Sequence, residues 1–499
     1  MKHLTMTILA LFFVATMNAQ VESDWQKQRE SMLQGFEQFK QQAYQNYENF
    51  RRQANEEYAR FMEEAWKFLE LQPAEAAPEK PKPPQPDIVA TPTPVPDLTH
   101  PVAEPIRLPD PVKPDLSISE KYPEVERPQP IEPIPMEPMT VAVTRTVDLY
   151  GSPLAFHYET PSLPKLKDNG EKSVAAMWKA LSDETYDHVI AECLQKREEC
   201  NLCDWAYIKL TQTVAESHCG KGTDEAIVMQ MYLLTQSGYQ MRIARCEGRL
   251  ILLIGTHEKL YGRRYYTMDG VRFYVIDKSI GKKAMEIFDH AFPGEKPFSL
   301  DMTQPKLAVV KTAERTLTSK RYPSLQVTVQ TNKNLINFYN DYPLNDRWEK
   351  YSKASMSSVL KESLFPALRK FIEGKSELEA ANILLNFVQT GFKYQTDDQQ
   401  FGYERPLFPD ETIYYPYCDC EDRSILFCCL IRELLGLDVV LLDYPTHIAT
   451  AIHFNTDVEG DYLVYEGKKY VISDPTYINA TVGMCAPKYK TISPTIVKF

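Results

Sequence analysis

The chain has 499 residues, 43% of them hydrophobic and 25% charged, enough for two or three globular domains. A formal net charge of -12 argues against a nucleic-acid partner and against simple attraction to anionic lipid. No run of 18 apolar residues follows the N-terminus, so no transmembrane segment is expected.

Lys2 and His3 precede the apolar stretch Leu4 to Met17, which ends at Asn18-Ala19-Gln20. Residues 1–19 read as a secretory signal peptide, implying export to the periplasm, the cell surface or the medium. Residues 20–72 carry an 11-residue period: Phe36, Tyr47, Tyr58 and Leu69; Phe39, Phe50 and Phe61; Ala43, Ala54 and Ala65. Such spacing keeps one face on a nearly straight helix, which predicts an amphipathic helix over 22–70, roughly 70 Å long. A single stripe that long needs a partner, so self-association into a homo-oligomer is expected ahead of packing within the chain or on a membrane. Residues 73–139 hold more than half of the 36 prolines and read as a disordered, polyproline-rich linker holding the globular part away from the helix.

The globular remainder divides at about residue 300, into 140–300 and 301–499, and the two halves share sequence. TDEAIVMQMYLLTQSGY (Thr223 to Tyr239) parallels CEDRSILFCCLIRELLGL (Cys420 to Leu437), and YYTMDGVRFYVID (Tyr265 to Asp277) parallels YLVYEGKKYVISD (Tyr462 to Asp474) without a gap. Thr223 is thereby set where Cys420 stands and Arg249 about where His447 stands. A Thr without a base is a poor nucleophile and Arg accepts no proton, so the first copy reads as non-catalytic, with His257 and Cys219 as the only nearby substitutes. Between the copies, LQVTVQ and NLINFYN flank Thr331-Asn332-Lys333 and read as a β-hairpin, and helices are expected over 355–373 and 377–392.

The last eighty residues carry the chemistry. Cys420 opens the apolar run Ile425 to Ile431, placing it on the first turn of a buried helix, where unpaired N–H groups favour thiolate. His447 begins the second of two β-branched runs, and Asp474 ends a third before Pro475. Thiol, imidazole and carboxylate in that order supply Cys-His-Asp logic. Cys418 is the near competitor for the thiol, His453 for the imidazole. Cys428 and Cys429 read as core, while Glu421 and Asp422 suit the helix dipole.

These three motifs, DCED, HIATAI and YVISDPT, resemble the transglutaminase-like superfamily over roughly Ser355 to the C-terminus. The resemblance implies a papain-like α+β fold, with Cys420 as nucleophile, His447 as general base and acid, and Asp474 as the orienting carboxylate. Many members place an aromatic residue after the catalytic His, where this chain has Ile448-Ala449-Thr450. The expected architecture is therefore α+β: tandem transglutaminase-like units behind a long helix and a Pro-rich linker. The expected function is an exported cysteine peptidase, amidase or transglutaminase acting on protein or peptide substrates. A non-catalytic surface or periplasmic scaffold is the alternative. No cofactor is expected and no metal; no calcium loop is recognisable. Cys200, Cys203, His218 and Cys219 lack the spacing of a zinc site, so a disulfide or reduced packing is expected there. Ten cysteines fall five to each half, which leaves thiols over in any intradomain framework.

Overall fold

The computed structural model describes residues 49–78, 82, 85–89, 127–130, 144–157, 163–182, 186–277, 280 and 284–499, with isolated helical positions between 29 and 45. The signal peptide assigned to 1–19 lies outside the described residues, as does most of the segment 73–139. Helices and antiparallel sheets alternate along the chain, an α+β arrangement. Among the described residues no helix is long and apolar enough to cross a membrane.

Helix α1 (49–62) does not run on to residue 70. The chain leaves it after residue 62 and enters strand β1 (Lys67–Glu70), which pairs with a later strand of the first half. The end of α1 packs within the chain rather than waiting for another copy. Tyr58 lies 4.9 Å from Trp178 and 5.0 Å from Phe288, and Ala54, Ala59 and Met62 are buried beside them. Arg51 pairs with Asp187 and donates to the Tyr232 hydroxyl at 2.7 Å. Further back, Met32, Leu33, Phe36 and Phe39 of the same stripe are exposed.

The first half contains the hairpin β2 (Thr144–Leu149) and β3 (Ser152–His157), then helices α2 (Glu171–Leu181), α3 (Asp187–Glu199), α4 (Asp204–Cys219) and α5 (Asp224–Gln236). Strands β4 (Met241–Cys246), β5 (Arg249–Thr256), β6 (Tyr265–Met268), β7 (Val271–Val275) and β8 (Ala284–Phe288) follow. With β1 they form one sheet in the order β6-β7-β5-β4-β8-β1. α5 starts where the Thr223 hydroxyl accepts the Ala226 N–H at 3.2 Å, and it runs buried across this sheet.

The second half opens with β9 (Arg315–Thr318) and β10 (Gln326–Val329), which pair with each other. The hairpin expected from 325–340 is not formed, because its second arm is helix α6 (Lys333–Asp341). Asn332 caps α6 by accepting the Asn334 N–H at 3.2 Å, and Leu335, Ile336, Phe338 and Tyr339 bury one helical face, a spacing that alternation cannot serve. Helices α7 (Trp348–Lys353), α8 (Ser358–Ile372) and α9 (Glu377–Gly391) lead to the short strand β11 (Lys393–Tyr394). The Ser376–Glu379 capping box sets the start of α9. After α10 (Asp397–Phe401), α11 (Pro409–Tyr414) and β12 (Tyr417–Cys418) comes the buried helix α12 (Cys420–Leu430), which ends in a π turn and at Gly436, with φ of 67°. Strands β13 (Asp438–Tyr444), β14 (His447–His453), β15 (Tyr462–Tyr465), β16 (Lys468–Ser473) and β17 (Thr495–Val497) form the sheet β15-β16-β14-β13-β17.

The two sheets share strand order and direction, β6-β7-β5-β4-β8 against β15-β16-β14-β13-β17, with α5 and α12 in matching places. Each central strand is covered on both faces. Ile448 and Ile452 of β14 face the main core with α12, while Ala449 and Ala451 face a second cluster with Tyr470 and Ile472. The main core runs through both halves, which also meet through Tyr150 on Phe338, 5.5 Å apart, and the Tyr261 hydroxyl on Asp346 at 3.0 Å.

The described parts of the Pro-rich segment lie on this body instead of standing away from it. Gln72 bridges to Tyr265, and Ile88 bridges to Ile478. Pro128 accepts a hydrogen bond from Arg197 at 2.9 Å, and Gln129 crosses Gly238 so closely that a Cβ there would meet the Gln129 carbonyl at 2.0 Å. Proline lowers the entropy lost when a strand is fixed, so a segment unable to form its own core can still dock.

Candidate active site

α12 and the hairpin β13–β14 bring the three expected residues to one end of the second sheet. A two-residue turn, Pro445-Thr446, joins the strands, with Tyr444 paired to His447. His447 therefore stands at the strand start, stacked on Tyr489 at 4.8 Å between ring centres. Its Nε2 lies 2.8 Å from the Asp474 carboxylate. Its Nδ1 is buried and has no hydrogen-bond partner among the described residues.

Asp474 follows β16 and receives the N–H groups of Thr476 at 2.8 Å and Tyr477 at 3.1 Å. Burial alone would raise its pKa, but His447 and these two donors outweigh it and hold the carboxyl below the usual range. Gln389 of α9 fixes the loop by donating to the carbonyls of Asp474 (3.1 Å), Tyr477 (2.8 Å) and Ala480 (3.1 Å).

Cys420 is the first residue of α12, as expected, but it is fully buried. Burial, then the charges of Glu421 and Asp419, push its thiol well above the ordinary range, against Lys82 and the Ile448 N–H acting the other way. A resting thiolate is therefore not favoured, because the acids around the helix start outweigh its dipole. Its Sγ lies 3.3 Å from Glu421 Oε2. Ser424 Oγ, one turn further along α12, donates at 3.0 Å to the carbonyl of Ile448, next in sequence to His447. α12 and β14 are thus tied together one turn from the thiol and one residue from the imidazole.

The competitors lie elsewhere. Cys418 is buried on β12, its thiol pushed up to about 12 by burial. His453 sits at the far end of β14, with Nδ1 on the Lys469 carbonyl at 2.9 Å. Cys428 and Cys429 are core, and all ten cysteines are free, so the packing at Cys200 and Cys203 is reduced. Among the described residues Cys200, Cys203, His218 and Cys219 do not come together as metal ligands.

Glu421 and Asp422 are not solvated first-turn acids. Both are fully buried, in a cluster with Asp397, Glu404 and Asp419 that the sequence did not suggest. Lys82, from the Pro-rich segment, enters this cluster with its side chain 2% exposed. Its Nζ contacts Glu421 and lies 2.9 Å from Glu404, 3.0 Å from Asp419 and 3.7 Å from Asp397. Burial would strip its proton, but the carboxylates outweigh that and keep it an ammonium. Glu421, in contact with it, stays ionised at about 2 against the pull of burial, while burial and Glu421 itself raise Asp397 and Asp419 well above the usual range. The carboxylates of Asp397, Glu404 and Glu421, and those of Asp397, Asp419 and Asp422, are close enough to hold a metal ion. Tyr394 also stands near Cys420 and Asp419, its phenol held protonated by burial and then by those groups.

The corresponding place in the first half differs. By helix position Thr223 is the cap of α5, so Asp224, not Thr223, matches Cys420. Asp224 Oδ1 accepts the Leu250 N–H at 2.9 Å, as Cys420 faces the Ile448 N–H. Arg249 opens β5 as His447 opens β14, and it is exposed. Compared with protein-family models, characterised proteins and solved structures, the chain matches none.

Proposed function

We propose that the chain is an exported cysteine-dependent acyl-transfer enzyme acting on amide bonds of peptides or proteins, built from tandem transglutaminase-like units of which only the second reacts. One observation carries the reading. Asp474 holds the His447 ring through Nε2 at 2.8 Å, which leaves Nδ1, buried and without a partner among the described residues, as the base, while Ser424, on the same helix as Cys420, bonds Ile448 O beside His447 at 3.0 Å.

Cys420 starts as a thiol, so Nδ1 takes its proton as sulfur attacks the carbonyl carbon. The Nε2–H donated to Asp474 stabilises the resulting imidazolium. N–H groups at the start of α12 and the Tyr394 phenol are the donors for the oxyanion. Collapse of the tetrahedral intermediate breaks the C–N bond, and Nδ1–H protonates the leaving amine. Water or a second amine then attacks the thioester and returns the thiol.

Export rests on residues 1–19, and oligomerisation on the exposed stripe around Phe36 and Phe39. The second reading, a non-catalytic scaffold, is favoured by the complete burial of Cys420. The test incubates the full chain, and its Lys82→Ala form, with a complex peptide mixture and reads new termini, deamidation and amine incorporation by mass spectrometry. Products that disappear on Cys420→Ala are expected; products unchanged by that substitution reject the enzyme reading.

A further inference from the structure

Among the described residues of the Pro-rich segment, Lys82 reaches the interior of the second half beside Cys420. Its neighbours approach from both sides along main-chain contacts. Before it, Gly262 donates to Glu75 O at 2.8 Å, and the Glu75 carboxylate takes the Tyr265 hydroxyl and Lys259, both at 2.7 Å. After it, Ile478 donates to Asp87 O at 2.8 Å, and Val89 donates to Ile478 O at 3.0 Å, just beyond Asp474. The strap's described anchors therefore lie on the first half at Glu75 and on the second at Asp87, with the Lys82 side chain buried between them in sequence.

That side chain meets more carboxyl groups than one ion pair needs. A structural ion pair needs one carboxylate, whereas Asp397, Glu404, Asp419 and Glu421 converge on a single ammonium. Among the described residues Asp419 Oδ1, fully buried, has no hydrogen-bond partner even with Lys82 in place. Glu421 joins the cluster to the chemistry, since it contacts Lys82 through Oε1 and the Cys420 sulfur through Oε2. A cavity of about 240 Å³ between the halves, lined by Ala77, Pro78, Tyr261 and Glu404, gives further room beside the strap.

We propose that Asp397, Glu404, Asp419 and Glu421 form a recognition pocket for the side-chain ammonium of a lysine in a peptide substrate, and that Lys82 fills this pocket in the resting chain. The inference rests on the acyl-transfer reading only for the word substrate; the pocket and its ligand stand on the geometry. Depth favours lysine, because a compact ammonium on a four-carbon stem reaches where the planar guanidinium of arginine does not fit as readily. An extended peptide can take the strap's place by adding to the backbone at Ile478, with its lysine in the cluster. The lysine is bound as an ammonium, so it orients the peptide and does not itself react.

Binding is measured by calorimetry on the full chain, using Nα-acetyl-lysine methylamide with Nα-acetyl-norleucine methylamide and calcium chloride as controls. The Lys82→Ala variant is expected to bind the lysine compound at least tenfold more tightly than the norleucine compound, the wild type to bind the lysine compound at least tenfold more weakly than the variant does, and Lys82→Ala with Glu421→Gln to lose the preference. Equal binding of both compounds, or of neither, by Lys82→Ala overturns the pocket. Binding of calcium alone overturns it in favour of a metal site. If Lys82→Ala does not fold, hydrogen exchange of residues 72–89 in the wild type decides: acceleration by excess lysine compound supports the pocket, and no change overturns it. Repeating the titrations on a Cys420→Ala background separates the two readings, since loss of acyl transfer leaves this binding intact.

Discussion

At the start of α5 a carboxylate, Asp224, takes the N–H of Leu250 at 2.9 Å; at the start of α12 the matching residue is Cys420, whose thiol the Ile448 N–H acts to lower in pKa. Both sheets then run in the same order, and β7 and β16 each lead to an aspartate, Asp277 or Asp474. At the helix start and the strand start the halves differ in their side chains: Asp224 accepts a backbone N–H where α12 carries the Cys420 thiol, and Arg249 is exposed where His447 is buried, while the packing is kept. On the proposed function these two differences decide which half reacts.

Cys420→Ala tests that contrast hardest. Turnover should fall on the order of 10⁶-fold, as expected for removal of a nucleophile that acts with its base as a unit, while Asp224→Ala leaves turnover unchanged. Comparable losses from both substitutions, in initial rates on one substrate, would end the asymmetry. Asp474→Asn comes next, with a loss on the order of 10⁴-fold if the carboxylate sets the tautomer of His447.

The same substitution has a signature in stability. The folded pKa of Asp474 is depressed, so its contribution is present above the unfolded value of about 3.9 and is lost as pH falls through the folded value. Denaturant melts from pH 6 downward should therefore flatten in Asp474→Asn relative to the wild type below about pH 4. An identical acid limb in the two proteins would mean that Asp474 is not ionised in the fold. Gln389→Ala should cost about 1–3 kcal/mol in urea melts, since it removes the side-chain donor shared by the carbonyls of Asp474, Tyr477 and Ala480, the first two of which keep backbone donors. Activity should drop with it, and should be partly restored by Gln389→Asn only if donation rather than bulk matters. Thr223→Ala gives the smallest effect, about 1 kcal/mol for a lost helix cap, with no change in turnover.

Much of the second half was legible in the residues. The apolar run after Cys420, the β-branched runs around His447 and the gapless match of Tyr265–Asp277 to Tyr462–Asp474 all reflect local periodicity, which sequence carries directly. The one-residue shift that puts Asp224 opposite Cys420 was hidden, because a Thr cap and a first-turn residue look alike until the helix start is seen. Asn332 hid α6 in the same way, its neighbourhood being read as a turn. Lys82 gave no signal: a lysine among prolines reads as solvated linker, and its burial depends on acids contributed by Asp397, Glu404, Asp419 and Glu421, more than three hundred residues downstream. The N-terminal stripe reads as a surface for another copy, whereas the partner of Tyr58 is Trp178 of its own chain.

Among the described residues the first sheet carries one strand more than the second: β1, laid antiparallel against β8. Without it β8 would be an edge strand, its open N–H and C=O groups offered to any other chain. The few residues after α1 therefore guard the fold against strand addition as well as completing it, and a chain cut between α1 and β1 is expected to associate as its concentration rises.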